Sequence, residues 1–236
     1  WKDALDILKK KIDVTTPDKI AGFTGDLTNM ETAYSAKELF GKVFKSPHLE
    51  SRTKNNFIDI EKRQNYIFNS KIKGIDKSDL LILIGTNPRY EATMLNARIR
   101  KIFAQKQVPI YSIGNPGDLT YKYTIIGNKV EDINKILNNS SDFSKKLLSS
   151  KKPLVIIGES AAEIKSGKYI VEGFKKFLKK NNFINKDWNA FNFLPQNAST
   201  VGLIDLQILS KEEDKRNSFF EKLKNNQFKL LYLLGS

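Results

Sequence analysis

Two short, uninterrupted apolar runs limit what this chain can fold into more than any other feature of its sequence. Residues 80–84 and 154–157 have the length of strands, contain no polar residue, and are each followed by a glycine, Gly85 or Gly158. A strand that does not alternate apolar and polar residues is buried on both faces, as central strands of parallel sheets are. The sequence therefore predicts an α/β fold with mainly parallel sheets.

The segments that follow these runs complete the pattern of a doubly wound α/β protein. Residues 91–103 and 167–179 carry apolar residues at helical spacing, and residues 108–113 form another mostly apolar run with β-branched side chains. The first strand, helix and second strand thus predict a β-α-β unit with a right-handed crossover. The later strand and helix repeat the pattern, so we predict two Rossmann-like lobes, residues 1–146 and 147–236.

The remaining segments give weaker signals. In chain order they predict a helix with one buried face over 3–12, a short strand over 19–25, a helix over 30–43, a loop-rich connection over 45–69 with a flexible tip at 54–56, helices over 197–209 and 211–224, and a buried strand over 230–235. A buried strand needs a neighbouring strand and a covering helix, so the second lobe looks incomplete or completed by another chain. This favours a fragment or half of a split subunit.

The composition excludes several classes of site. The chain has no cysteine, which rules out disulfides, thiolate zinc sites and cysteine-held iron–sulfur clusters within it. Its single histidine, His48, is interpreted as a loop residue, and Ser160 has no base obviously placed beside it. No apolar run approaches the roughly 18 residues of a membrane span. We therefore predict no metal site and no direct membrane span, and catalysis could rest only on carboxylates, lysines or a bound cofactor. The carboxylates are scattered rather than paired around a turn, so we also predict no catalytic residue.

The chain is strongly basic, with a formal net charge of +14. Such a charge favours polyanionic partners, including nucleic acid. Lysine supplies nearly all of it, whereas nucleic-acid readers tend to use arginine forks. The mixture of Lys, Asn, Ile and Phe in residues 179–186 is typical of a genome rich in A and T. We favour this compositional bias, and a basic nucleic-acid-binding module stays as an alternative.

Three glycine turns, at Gly85, Gly114 and Gly158, follow the predicted strands. Doubly wound sheets bind ligands at the carboxyl ends of their strands, where helix N-termini offer amide groups to a phosphate or carboxylate. Arg89 could add a guanidinium beside the first turn. No turn matches a P-loop or a G-x-G-x-x-G fingerprint, and any α/β protein needs glycine at such corners. The spacing alone leaves ligand binding open.

Residues 78–92, continuing into residues 96–101, closely resemble the large iron–sulfur subunit of respiratory complex I, the NADH:quinone oxidoreductase. Further matching pieces occur in the order of that family, at residues 65–66, 117–121, 152–158 and 187–189. The Asn-Ala-Arg-Ile-Arg element at residues 96–100 separates the complex I subunit from the wider molybdopterin oxidoreductase family. Together these pieces cover most of the chain.

The resemblance covers only the carboxyl-terminal, molybdopterin-oxidoreductase-like portion of that subunit. It implies a structural part of the peripheral arm, which supports electron transfer from NADH to ubiquinone coupled to proton translocation and holds no redox centre or cofactor. Iron–sulfur clusters are expected in the companion amino-terminal portion. In molybdopterin enzymes the turn Gly85, Thr86, Asn87 and Pro88 would approach the guanine dinucleotide of the cofactor; here the resemblance implies that this turn is vestigial.

The partners implied are the other peripheral-arm subunits of complex I, especially the cluster-binding portion of the same subunit, and no nucleic acid. The implied location is the matrix side of the mitochondrial inner membrane, or alternatively the cytoplasmic face of a bacterial membrane. Arg98 and Arg100 lie two apart on one helix and cannot share a face, so at least one is expected to bridge to a neighbouring subunit. The alternative function is a cofactor-binding piece of an active molybdopterin oxidoreductase.

Overall fold

The structure, a computed structural model, describes residues 1–25, 27–51, 57–209 and 213–235. Its strands are β1 (Ile20–Thr24), β2 (Leu49–Glu50), β3 (Leu80–Ile84), β4 (Ile110–Ile113), β5 (Thr124–Gly127), β6 (Pro153–Gly158), β7 (Phe191–Leu194) and β8 (Leu230–Leu234). Its α-helices are α1 (Lys2–Asp13), α2 (Met30–Glu38), α3 (Lys71–Ile75), α4 (Pro88–Glu91), α5 (Thr93–Lys106), α6 (Val130–Leu137), α7 (Asp142–Ser149), α8 (Glu159–Glu163), α9 (Gly167–Lys180), α10 (Thr200–Asp205) and α11 (Glu213–Lys224). The predicted flexible tip at 54–56 and the predicted helix start at 211–212 lie outside the described residues.

Residues 54–196 form one compact unit around a five-stranded parallel sheet. The strand order is β5-β4-β3-β6-β7, so the sheet grows outward in both directions from the central pair β3 and β6. That is the doubly wound arrangement. Strands β3 and β6 are buried along their whole length, as their unalternating sequences predict. The predicted α/β class with parallel sheets is confirmed.

Helix α9 shows why this unit folds as the sequence predicts. Its apolar residues recur at helical spacing and form one buried stripe: Ile170, Val171, Phe174, Phe177 and Leu178. Lysines occupy the last turn, where positive charge complements the helix dipole. Full burial of each such side chain contributes about 1.5–3 kcal/mol to folding. The predicted helix over 167–179 is confirmed.

The division of the chain differs from the predicted lobes, 1–146 and 147–236. Strands β3 and β6 lie on either side of residue 146 in sequence, yet they are hydrogen-bonded neighbours, with Leu80 opposite Pro153 and Ile84 opposite Ile157. This pairing places both strands in one sheet, and the second unit combines residues 1–53 with residues 197–236. Pairing between distant strands cannot be read from local periodicity, which explains the misplaced boundary.

The second unit contains a three-stranded parallel sheet of order β2-β1-β8. The prediction that strand β8 is buried is wrong. The strand pairs with β1 at one edge of this sheet, and Leu233 is 57% exposed. Helix α1 is present, but it has no buried residue and so lacks the predicted buried face. No helix in the described part of the chain combines the length and apolar character needed to cross a membrane.

One predicted helix of this unit changes its helical form part-way, and another is shorter than its apolar spacing suggests. The segment predicted over 30–43 is α-helical only in α2 and continues as a π-helix, Leu39–Phe44, which buries Phe40. The segment predicted over 197–209 is helical only in α10. Lys45, which follows the π-helix, adopts the left-handed conformation, and this ends the helical region.

Candidate functional site at the carboxyl ends of the strands

The turn after β3 packs directly against the start of α8, which follows β6. Gly85 has a φ of +54°, a conformation that side-chain-bearing residues rarely adopt. A Cβ at Gly85 would lie 2.6 Å from the amide nitrogen of Ala161. Similarly, a Cβ at Gly158 would collide with the carbonyl oxygen of Gly85. Glycine is therefore required at both strand ends because the two turns fill the space between them.

Hydrogen bonds tie the same turn to the loop after β4. The Asn87 side chain accepts a hydrogen bond from the Arg89 amide at 3.0 Å, which caps α4, and donates one to the Pro116 carbonyl at 2.6 Å. The Arg89 guanidinium forms an ion pair with Asp118 at 2.5 Å. A hydrogen bond from the Thr120 amide, together with Arg89, holds the pKa of Asp118 below its usual value. The side chains of Asn87 and Arg89 are thus both engaged by the chain itself.

A pocket of about 320 Å³ lies between the ends of β3 and β4, with one residue from α8 on its wall. Its lining residues include Gly85, Thr86, Asn87, Glu91, Gly114 and Ser160. Glu91 is the one charged side chain among the described lining residues, and it accepts a hydrogen bond from the Thr86 hydroxyl. The predicted turn residues Gly85, Thr86 and Asn87 therefore do meet at one pocket, and Pro88 begins α4 beside it.

The segments behind this pocket that resemble the complex I subunit also lie together. Asn96 on α5 donates a hydrogen bond to the Leu119 carbonyl at 3.3 Å and accepts one from the Tyr121 hydroxyl at 2.7 Å. Burial raises the pKa of Tyr121 far above its usual value. Asn96 and Tyr121 are 25 residues apart in sequence. Their contact shows that the matched pieces form one structural unit around the turn.

Comparison with known proteins agrees with this geometry. The model of the molybdopterin oxidoreductase family matches residues 1–236. This chain belongs to the molybdopterin oxidoreductase family. All of the chain aligns at 37% identity with 36% of the NADH-ubiquinone oxidoreductase 75 kDa subunit of Reclinomonas americana, and at 33% identity with 32% of the mitochondrial 78 kDa subunit of Candida albicans. It also aligns at 30% identity with 33% of a subunit of the NADH-quinone oxidoreductase of Rickettsia conorii.

These relatives confirm the resemblance to the large subunit of complex I. The chain spans only about a third of the length of each of them. The similarity therefore concerns one portion of a longer protein.

The pocket of this family member does not fit the dinucleotide form of a molybdopterin cofactor. Such a group carries a diphosphate, and a carboxylate in the lining repels it, since Glu91 faces the pocket without a lysine or arginine among the described lining residues. The Arg89 guanidinium, which the sequence suggested as a phosphate ligand, is bound to Asp118. The volume of about 320 Å³ is near the lower limit for small-molecule sites. The expectation of a vestigial turn stays a prediction, and this lining is consistent with it.

Other residues considered from the sequence occupy separate positions. His48 directly precedes β2, its ring lies 5.1 Å from that of Phe228, and burial and then Lys222 lower its pKa. The described residues contain no group of three or more histidines, cysteines or carboxylates that could hold a metal. Ser160 lines the pocket, and its nearest side-chain partner is the Gln196 amide at 3.5 Å. None of these positions assembles a nucleophile with a base.

The two arginines of α5 differ in their contacts. Arg98 forms an ion pair with Asp76 at 3.1 Å. Arg100 is exposed and has no ion pair within the described part of the chain. Arg100 is therefore the one available to contact another subunit. Sequence spacing indicated that one of the pair would be available but could not say which.

Glu91 and Asp118 are the residues of this site that sequence reasoning missed. Glu91 was assigned only to the start of a helix, and Asp118 only to a piece of the family resemblance. Glu91 lies near the turn because α4 directly follows it, whereas Asp118 is held there by the bonds of Asn87 and Arg89 to the loop after β4. A contact between segments almost thirty residues apart leaves no local signal in one sequence.

Proposed function

We propose that this chain is a structural part of the peripheral arm of respiratory complex I and carries no redox centre itself. It would support electron transfer from NADH to ubiquinone coupled to proton translocation by packing against subunits that hold the redox groups. The family match and the names of the relatives support a role in complex I. The single observation that supports the absence of a redox centre is the set of residues that line the pocket at the turn after β3.

The polar side chains at this turn bond to other groups of the same chain. Thr86 donates to Glu91, Asn87 bonds both Pro116 and the Arg89 amide, and the Arg89 guanidinium is paired with Asp118. A site built to bind an anionic dinucleotide offers unpaired donors or cations to its phosphates. Here the Thr86 hydroxyl, the Asn87 amide group and the Arg89 guanidinium all bond to the chain, and the one charged side chain among the described lining residues is a carboxylate. The turn is best explained as a structural corner that joins β3, β4 and α8.

The partners follow from the same proposal. The main functional companion would be the cluster-binding portion, whether it is part of the same polypeptide or a separate one, since the chain itself has no cysteine. Arg100, exposed on α5, is a candidate contact with a neighbouring subunit. The location would be the matrix side of the mitochondrial inner membrane, or the cytoplasmic face of a bacterial membrane, because the relatives come from both kinds of organism.

Metal analysis tests the non-redox role against the alternative, a cofactor-binding piece of an active molybdopterin oxidoreductase. The native assembly containing this chain would be purified and its molybdenum, tungsten and pterin measured relative to the chain. We expect all three to be far below stoichiometric. Stoichiometric molybdenum or tungsten with pterin would overturn the proposal. A charge reversal at Arg100 that leaves the assembly unchanged would remove that residue from the interface.

A further inference from the structure

A second concave site lies at the amino ends of the strands of the five-stranded sheet, opposite the glycine turns at their carboxyl ends. The segments that precede β3, β6 and β7 form a pocket of about 410 Å³ at the amino ends of these strands. Its lining, which we call the lysine pocket, includes five lysines: Lys71, Lys73, Lys77, Lys152 and Lys186. Asp187 is the one carboxylate among the described lining residues. The lysine pocket is therefore strongly cationic, unlike the pocket at the glycine turn.

The lysines of this pocket are not neutralised by any carboxylate in the described part of the chain. All five are exposed, and none forms an ion pair within the described residues. By contrast, Lys175 elsewhere in the unit is paired with Asp59 at 2.8 Å. The Lys152 ammonium lies 5.9 Å from the centre of the Trp188 ring, a cation–π contact that leaves its positive charge in place. Like charges around one concave surface repel each other, so an anion that enters is stabilised by all of them.

One wall of the lysine pocket is fixed by a buried hydrogen-bond network. The Asn192 side chain, which is fully buried, accepts from the Ser70 amide at 2.8 Å, and the Ser70 hydroxyl donates to the Asn189 carbonyl at 2.6 Å. Asn69 donates to the Phe191 carbonyl at 2.7 Å. Lys71 follows directly, with a φ of +58°. The network thus fixes the backbone directly before the residue from which the Lys71 side chain extends.

We propose that the lysine pocket binds a phosphate-bearing anion. A tetrahedral, multiply charged phosphate can be approached by separate ammonium groups from several sides, and lysine acts on phosphate as a point charge. A planar carboxylate is matched best by the fork of an arginine, and no arginine is among the described lining residues. The volume is that of a site for a small molecule. The phosphate belongs either to a free polyphosphate compound or to the headgroup of an anionic lipid.

Calorimetric titration of the full chain with inorganic pyrophosphate tests the proposal. The pocket variant combines Lys73→Gln and Lys152→Gln. The matched control combines Lys165→Gln and Lys168→Gln, which removes the same charge from two exposed lysines at the start of α9. This end of the helix follows the carboxyl end of β6, whereas the pocket lies at the amino ends of the strands. We expect the pocket variant to bind pyrophosphate at least about tenfold more weakly than the wild type, and the control to change the Kd less than about twofold. Equal weakening in the two variants, or no binding by the wild type, would overturn the proposal.

Co-sedimentation with vesicles distinguishes the two sources of phosphate. The same three proteins would be mixed with vesicles of phosphatidylcholine containing phosphatidylglycerol. Vesicle binding that is lost in the pocket variant, kept in the control and competed by pyrophosphate supports a lipid headgroup. Pyrophosphate binding through the pocket without vesicle binding supports a soluble ligand. Vesicle binding that weakens equally in both variants, with no pocket-dependent binding of pyrophosphate, counts against the site.

Discussion

Replacement of Gly85 by alanine probes the corner at the centre of the proposed structural role. The added Cβ would lie 2.6 Å from the amide nitrogen and 2.7 Å from the Cβ of Ala161, both much closer than ordinary van der Waals contact. Neither atom belongs to a flexible side-chain end, so the backbone of α8 must shift. The residue must also keep a φ of +54°, or the turn must change shape.

The expected loss of stability has two parts. A left-handed conformation costs a non-glycine residue about 1–2 kcal/mol. Overpacking against fixed neighbours costs about 1–3 kcal/mol more. Gly85→Ala should therefore lower the free energy of unfolding by about 2–5 kcal/mol. Gly114→Ala is the matched control, because Gly114 also has a positive φ, of +88°, but a Cβ there would meet nothing within 4 Å. The control should lose only the conformational part.

Urea denaturation followed by the fluorescence of Trp188 measures both changes. Trp188 is buried in the unit that contains both glycines, and the other tryptophan, fully exposed Trp1, would be replaced by phenylalanine in every protein compared. A larger loss for Gly85→Ala than for Gly114→Ala is the expected result. Equal losses would refute the argument that the turn after β3 is closely packed against α8.

Three further predictions concern other buried or titrating groups. Asn192→Ala should cost about 1–3 kcal/mol in urea denaturation, because it leaves the partly buried Ser70 amide unpaired; an unchanged midpoint would contradict this. Burial raises the pKa of Asp59, but hydrogen bonds from Lys175 and a backbone amide outweigh it and leave that pKa lowered. The ionised form is therefore favoured by folding, and this stability is present above about pH 4 and lost at lower pH. Asp59→Asn should have a weaker acid dependence of stability than the wild type, and an identical dependence would exclude this ion pair as the source. Because burial lowers the pKa of His48, NMR titration of this single histidine should give a value below about 6.5. Its contribution to stability should be present above that pH and decline as the pH falls towards the folded-state pKa; a value at or above 6.5 would contradict the half-buried position.

The parts of the fold that were predicted correctly are those whose sequence pattern is complete within one short segment. Strands β3 and β6 are continuous apolar runs, and α9 has a regular apolar stripe. Strand β5 was missed because it is a short edge strand whose residues are half-buried or exposed. Strand β7 was missed because Asn192 interrupts its apolar residues, and only the hydrogen bonds to Ser70 and to neighbouring carbonyls make that side chain tolerable in the core.

Features that depend on distant contacts could not be predicted in this way. The misplaced boundary at residue 146 and the exposure of β8 both follow from which strands pair, which periodicity does not report. At the candidate site the sequence identified the turn residues Gly85 and Asn87. It could not identify Glu91 as the charge in the pocket, because the start of a helix does not show which of its side chains faces a cavity. It could not identify Asp118 as the partner of Arg89, because that contact joins segments 29 residues apart.

The most direct test of the central claim is the identification of the proteins that accompany this chain in its native assembly. The assembly would be purified under mild conditions and its components identified and quantified by mass spectrometry. The account predicts the flavin and iron–sulfur subunits of complex I in stoichiometric amounts with this chain. A chain that purifies alone, or with companions unrelated to complex I, would contradict it.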